Sequence, residues 1–384
     1  MRCAWAKVIE GEQMLLSRAI IESSDPVLPT VSIVIPMRNE EHCITRCLDA
    51  ILGQTYPAHL MEIIVVDGNS QDRSRQVVAD YARLDGRITL LSNPAGTIPA
   101  GLNVGIKATR GEVIARADAR TLLAPDYLRT AVDLLASRRA NNVGGPVRSI
   151  TPTLRGRALA LAWGSRFGLG GASARYREST ERWTDTVYLG VYPRKVFEAI
   201  GLYDEDILQD EDAELNYRLR ARGGRILMSP QLRSDYFNST SLRRFAVKNL
   251  LFGYSKAAVC QKYPRMMNWR HFIPPLFVVG LVLGPLLWGV HWFFGAAWTI
   301  CMGGYLVACL GVTSYYLYRG EGRATMLLPL IFPVLHLSWG AGFLVGTARF
   351  FSRWFGYELQ PPPVLQKSMP TSQEEMSMTI KGRP

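Results

Sequence analysis

Three long apolar runs near the C-terminus constrain this chain more than any other feature: residues 272–290, 296–318 and 324–348. Crossing about 30 Å of hydrocarbon takes roughly 20 apolar helical residues, and each run meets or approaches that length. All three contain Gly, and the first and third also contain Pro, both of which membrane helices tolerate. A single such run could be the core helix of a soluble protein. Three in succession with almost no charge favour a membrane domain. Residues 31–240, by contrast, mix charged and apolar residues in ordinary proportions. The mean hydropathy of +0.04 over 384 residues averages these unlike parts. With 48% hydrophobic and 20% charged residues, a disordered or collagen-like chain is excluded.

Charge locates the join. The chain carries 44 Lys+Arg against 32 Asp+Glu, a net +12. Residues 241–271 contain no acid but seven bases: Arg243, Arg244, Lys248, Lys256, Lys262, Arg265 and Arg270. Directly before the first apolar run, such a segment suits anionic headgroups, at about 1 kcal/mol per base near the surface. No zinc finger or RNP-type motif supports nucleic acid as a partner. The turn 291–295 is uncharged, while 319–323 holds two arginines and one glutamate, so the second is expected on the cytosolic side. The first thirty residues hold no uninterrupted apolar core, so no signal peptide is expected and the soluble part should stay in the cytosol. Three full crossings then put the tail outside, yet Arg349 and Arg353 favour the inside. Either the last run re-enters or the span count is off by one. Six cysteines without a CxxC pair read as buried free thiols rather than a metal site, although His42 stands beside Cys43 and Cys47.

The soluble part alternates. Residues 31–36 (VSIVIP) and 62–66 (EIIVV) read as buried strands, and 87–91 and 112–116 as further strands. Residues 40–52, 72–84 and 99–108 have helical spacing. This order implies right-handed βαβ units and a mostly parallel sheet, with ligands beyond the carboxyl ends of the strands. Asp67 and Asp118 each follow such a strand. Either could accept hydrogen bonds from a ligand or simply cap a turn. The acidic segment 204–218 could raise a carboxyl pKa to suit a general base, or could be a helix start favoured by the dipole.

Taken together, VSIVIPMRNEE, VVDGNSQD, NPAGTIPAGLNVGIKATRGEVIARADA, YLGVYPRKVFEAIGLYDED and QDEDAELNYRLRARGG resemble the family 2 glycosyltransferases over residues 31 to about 230. Residues 184–190 and the DED segment look nearest to the succinoglycan-type membrane glucosyltransferases of bacterial polysaccharide assembly. The resemblance implies an α/β fold of the GT-A type, a doubly wound mixed sheet, followed by a C-terminal α-helical membrane domain. The expected organisation is a lead-in 1–29, a catalytic domain 30–240, a basic interfacial connector 241–271, about three transmembrane helices in 272–350 and a polar tail 351–384.

The resemblance also assigns roles. Pro36, Arg38 and Glu40 match the loop lining the nucleotide pocket, and Asp67 the contact to uracil. Gly101, Asn103 and Gly105 match the helix facing the nucleotide. Asp118 matches the first aspartate of the DxD motif. Gly190, Arg194 and Arg218 match the acceptor side. Asp212, with Glu211, matches the ED pair that supplies the catalytic base. The DxD itself reads Asp118-Ala119-Arg120, which leaves two expectations open. Arg120 stabilises the leaving diphosphate as a fixed cation, or Asp118 with phosphate and water holds Mg²⁺ or Mn²⁺. The implied activity is inverting transfer of a hexose from a nucleotide sugar such as UDP-glucose to a lipid-linked saccharide at the cytosolic face of the inner membrane, with polysaccharide assembly partners. A polyprenol-phosphate sugar transferase and a non-catalytic sugar-nucleotide-binding scaffold are the alternatives.

Overall fold

The structure, a computed structural model, describes residues 28–170, 180–238 and 240–351. Nearly all of the expected lead-in and tail, and Cys3, lie outside these residues. The first half is βαβ: β1 (Val31–Met37), α1 (Ile44–Leu52), β2 (Met61–Asp67), α2 (Ser74–Leu84), β3 (Ile88–Ser92), α3 (Ile98–Ala108) and β4 (Val113–Arg116). The strands pair in parallel in the order β3-β2-β1-β4. Their valines and isoleucines are buried, as a sheet covered on both faces requires. On α3, a Cβ added to Gly105 would lie 2.3 Å from Val34 Cγ1, so α3 approaches β1 at a distance only glycine allows.

Pairing of β1 with β4 ends at Val34↔Arg116, whereas pairing with β2 runs on to Met37↔Asp67. Pro36, which cannot donate a ladder bond, sits where β1 retains one neighbour. The strand order reverses between β1 and β4, so a crevice opens at the switch point where doubly wound sheets hold ligands.

Beyond β4 follow β5 (Thr121–Leu123), α4 (Tyr127–Arg138), β6 (Asn142–Gly145), β7 (Val147–Ile150), α5 (Leu154–Gly164), α6 (Arg166–Leu169), β8 (Arg182–Trp183), β9 (Tyr188–Pro193), α7 (Arg194–Ile200), α8 (Glu211–Ala221), β10 (Ile226–Met228) and β11 (Ser234–Phe237). Antiparallel β9, then β6, β10 and β8, extend the main sheet past β4, while β5, β11 and β7 form a second small sheet.

The C-terminal part is helical: α9 (Leu242–Lys262), α10 (Ile273–Trp288), α11 (Trp292–Tyr318) and α12 (Leu328–Arg349). Three segments are long and apolar enough to cross a membrane: Trp269–Trp288, Trp292–Tyr318 and Arg323–Arg349. They differ in burial within the protein, at 6%, 11% and 44%.

The basic connector is less open to headgroups than its composition suggests. Lys256 pairs with Asp210 and Lys262 with Asp204, while Lys248 lies 4.5 Å from the Trp163 ring centroid and also faces Tyr236 and Phe252. Arg243, Arg244, Arg265 and Arg270 are exposed. The thiols are likewise mixed: Cys47, Cys260 and Cys309 are buried, Cys43 is half-buried and Cys301 is exposed, all unbridged.

Candidate active site

The crevice is built from strand ends. The loops after β1 and β2 are laced together: Gly68 N donates to Met37 O, Asn39 N to Ser70 Oγ and Glu40 N to Ser74 Oγ. Asp67, 3% exposed, accepts from Ser70 N at 3.2 Å, and Arg75 Nη1 lies 3.4 Å from its other oxygen. It therefore does cap a turn, at the carboxyl end of β2. Exposed Arg38 reaches over the same strand ends, its Nη1 3.4 Å from Gly96 O.

The centre of the site is Arg116, the last residue of β4. It is 7% exposed, so its charge must be paired. Its Nε donates to Asp118 Oδ1 at 3.1 Å, and its Nη1 to Glu211 Oε1 at 2.8 Å and to Asp212 Oδ1 at 2.7 Å. One guanidinium thus joins the strand-end carboxylate to both acids that open α8. Two tyrosines complete the set: Tyr188 OH donates to Asp118 Oδ2 at 3.2 Å, and Tyr203 OH to Asp212 Oδ1 at 3.3 Å. Burial raises both hydroxyls well above the usual phenol range, which keeps them donors.

The acidic segment shows two features. It is a helix start, with Glu211, Asp212 and Glu214 in the first turn of α8. Burial, joined by the neighbouring Asp212 carboxylate and opposed by Arg116, also pushes the Glu211 carboxyl up, to about 7. Between 4.5 and about 7 the folded state then keeps a proton that the unfolded chain releases, so stability falls as pH rises through that window. Glu211→Gln should remove this slope, leaving thermal midpoints that change less than wild type between pH 5 and pH 7 (roughly the same window). Parallel curves for the two proteins would count against a protonated Glu211.

The other expected residues divide. Arg120 is committed to Glu40, its Nε 2.7 Å from both carboxylate oxygens, so its charge is already offset. Buried Asn103 donates to Tyr203 O at 2.9 Å and Glu205 Oε1 at 2.8 Å, and accepts from Tyr203 N at 2.9 Å. It thereby supports the tyrosine that touches Asp212. Gly101 packs against Asn93 and Pro36. Gly190 lies under the Tyr192 ring, 2.5 Å from an added Cβ. Arg194 sits at the opposite end of β4 from Asp118, bonded to Gly111 O at 2.7 Å and Thr109 Oγ1 at 2.9 Å. Arg218 pairs with buried Glu214 at 2.7 Å and holds Leu202 O at 2.7 Å. The structure therefore does not bring Arg194 and Arg218 to the crevice; both brace the frame around it. Helix α9 braces it as well. Lys256 Nζ stands 2.5 Å from Asp210, the left-handed residue (φ 71°) before Glu211, and Gln209 N donates to Ser255 Oγ at 3.2 Å.

Three contributors escaped the sequence reading: Arg116, Tyr188 and Tyr203. Arg116 left a signal, since a charge ending an otherwise apolar strand needs a partner. A separate cleft of about 1290 Å³ lies elsewhere, between the small sheet and the end of α11, and includes Arg148, Arg157, Arg233 and Arg319 in its lining.

Residues 32–201 match the family described as Glycosyl transferase family 2. The chain is 28% identical over 324 residues to succinoglycan biosynthesis protein ExoA of Rhizobium meliloti (strain 1021), covering 84% of this chain and 96% of that one. It is 24% identical over 327 residues to a dolichyl N-acetyl-alpha-D-glucosaminyl phosphate 3-beta-D-2,3-diacetamido-2,3-dideoxy-beta-D-glucuronosyltransferase of Methanococcus voltae, covering 83% and 97%. The fold is similar to that of the mannosyltransferase PcManGT of Pyrobaculum calidifontis, solved with GDP-Man and Mn²⁺, at a TM-score of 0.54 and 20% identity over 89% of this chain and 97% of that one.

Proposed function

Because this chain is a glycosyltransferase carrying a family 2 domain on a GT-A fold, we propose that it moves a hexose from a UDP-sugar to a lipid-linked saccharide in polysaccharide biosynthesis. It works at the cytosolic face of the plasma membrane, with inversion at the anomeric carbon. The observation that carries this reading is the Arg116 junction, which holds Asp118 and the Glu211–Asp212 pair within one hydrogen-bonded cluster beside the crevice. The relatives that the chain matches over most of its length support the polysaccharide role.

Each residue then has a task. Asp67 and Arg38 receive the nucleoside side of the donor. Asp212, the less buried of the two helix-start acids, takes the proton from the acceptor hydroxyl. That oxygen forms its bond to the anomeric carbon from the face opposite the nucleotide as the bond to the diphosphate breaks. Tyr203 and Arg116 orient Asp212 and stabilise its carboxylate.

A divalent cation fits the donor set. Asp118 is one hard carboxylate, a quarter exposed, and Mg²⁺ or Mn²⁺ commonly binds through one or two carboxylates plus substrate phosphates. When bound, it would offset the charge gathering on the leaving diphosphate. Holding the domain at the bilayer by its helices keeps the site near an acceptor confined to the membrane. The exposed Arg243, Arg244, Arg265 and Arg270 supply the attraction to anionic lipid.

The test uses membranes containing the full chain, lipid-linked acceptors and a panel of radiolabelled nucleotide sugars. A UDP-hexose should label the lipid extract, excess EDTA should abolish labelling, and Mn²⁺ should restore it. Labelling by no member of the panel contradicts the reading. Labelling untouched by EDTA assigns the diphosphate to arginines instead.

A further inference from the structure

We infer that α12 does not cross the bilayer. It lies in the leaflet next to the catalytic domain, so the chain crosses twice and ends on the catalytic side. This rests on α10 and α11 forming a membrane hairpin, as the localisation proposed above requires.

The argument is one of levels along the hairpin. The deep half of the hairpin closes on itself: an added Cβ at Gly284 would meet the Trp298 ring at 1.9 Å, one at Gly295 would meet the Trp288 ring at 2.5 Å, and those two rings lie 6.4 Å apart. The shallow half is where α12 packs. Trp339 faces His271 at 6.4 Å between ring centroids, and Phe343 faces Phe272 at 6.0 Å. An added Cβ at Gly340 would stand 2.4 Å from Pro274 O. All of these partners belong to the entry of α10 or the turn before it. On α11, Tyr305 OH lies 2.9 Å from His336 Nδ1, and the Tyr305 ring lies 4.5 Å from Phe277 in the second turn of α10. The midpoint of α12 is therefore level with the start of α10.

Both ends of α12 return to the catalytic side. Leu328, Phe332 and Leu335 share an apolar cluster with Ala158, Leu159 and Trp163 of α5. His336 Nε2 lies 3.0 Å from Phe167 O of α6. At the other end, α12 lies backbone to backbone on α9: an added Cβ at Gly342 would be 1.9 Å from Leu250 O, and one at Gly346 2.7 Å from Tyr254 O. Gln261 of α9 donates to Phe350 O, and the Tyr254 ring lies 5.2 Å from the Phe350 ring, tilted by 52°. Helix α9 cannot itself be deep, because Lys256 and Lys262 on it hold Asp210 and Asp204 of the catalytic domain. A helix pinned at both ends to elements of one side does not reach the other side.

What remains uncovered on α12 fits lipid. Leu330 and Val345 on the helix, and Met326 in the turn before it, are exposed, whereas 44% of the span is buried in the protein. Arg323 and Arg349 then both lie on the side where positive residues collect, which removes the conflict between three crossings and a basic C-terminal flank.

The experiment inserts a short epitope into the full chain after Val290 or, separately, after Pro384, and detects it on spheroplasts before and after permeabilisation. The Val290 epitope should be reached without permeabilisation and the Pro384 epitope only after it. Both reached without permeabilisation means three crossings and overturns the inference. A Val290 epitope hidden until permeabilisation removes the hairpin itself, and with it the localisation on which the inference stands. Spin labels at Leu330→Cys, Leu337→Cys and Val345→Cys give a second readout. One shared shallow depth is expected, and a label at 337 near the bilayer centre overturns the inference.

Discussion

Arg116→Met is expected to destabilise the protein by about 3–5 kcal/mol and to abolish transfer, because it strands three carboxylates around a buried site. The guanidinium is 7% exposed and bonds Asp118, Glu211 and Asp212 at 2.7–3.1 Å. Methionine fills similar volume without charge, so the loss isolates electrostatics from packing. Arg116→Lys sharpens the test. A lysine keeps the charge, but its compact ammonium cannot present the planar fork that reaches both Asp118 and the first turn of α8. It should recover part of the stability and little of the turnover. Chemical denaturation of the full chain in detergent measures the first, and transfer of labelled sugar the second. A Met variant as stable as wild type would show that the carboxylates do not depend on this cation.

Much of the fold was legible because local pattern and burial agree. The strands β1 to β4 begin and end within about a residue or two of their apolar runs, since a parallel sheet covered on both faces demands continuous β-branched residues. The proposed catalytic pair at 211–212 and the strand-end acids at 67 and 118 were legible by motif. What was hidden is pairing across long sequence separation. Nothing near Lys256 says that its partner is Asp210, and hydropathy cannot tell a helix facing lipid from one facing protein. For that reason α12 reads as a crossing by composition while packing along α5 and α9. Arg194 and Arg218 show the converse. Motif position suggested the acceptor side, but their donors are consumed by backbone carbonyls, Thr109 and Glu214, the work of structural arginines.

The second large effect concerns Asp212. Its carboxylate is 19% exposed against 8% for Glu211, and it stands in the first turn of α8, where the dipole favours the ionised form a base must have. Asn at this position keeps the shape and can still accept from Arg116 and Tyr203, so the crevice should survive, while the proposed base is gone. General-base removal costs on the order of 100- to 10,000-fold. Glu211→Gln, by contrast, should leave a larger share of turnover, since Glu211 is turned inward.

The most direct measurement therefore pairs transfer with binding in Asp212→Asn, using labelled UDP-hexose and membranes for the first and calorimetric titration of UDP for the second. Turnover should fall by about a thousandfold with UDP affinity unchanged. Turnover within tenfold of wild type (roughly 1.4 kcal/mol), at the same UDP affinity, would contradict the assignment of Asp212 as the base.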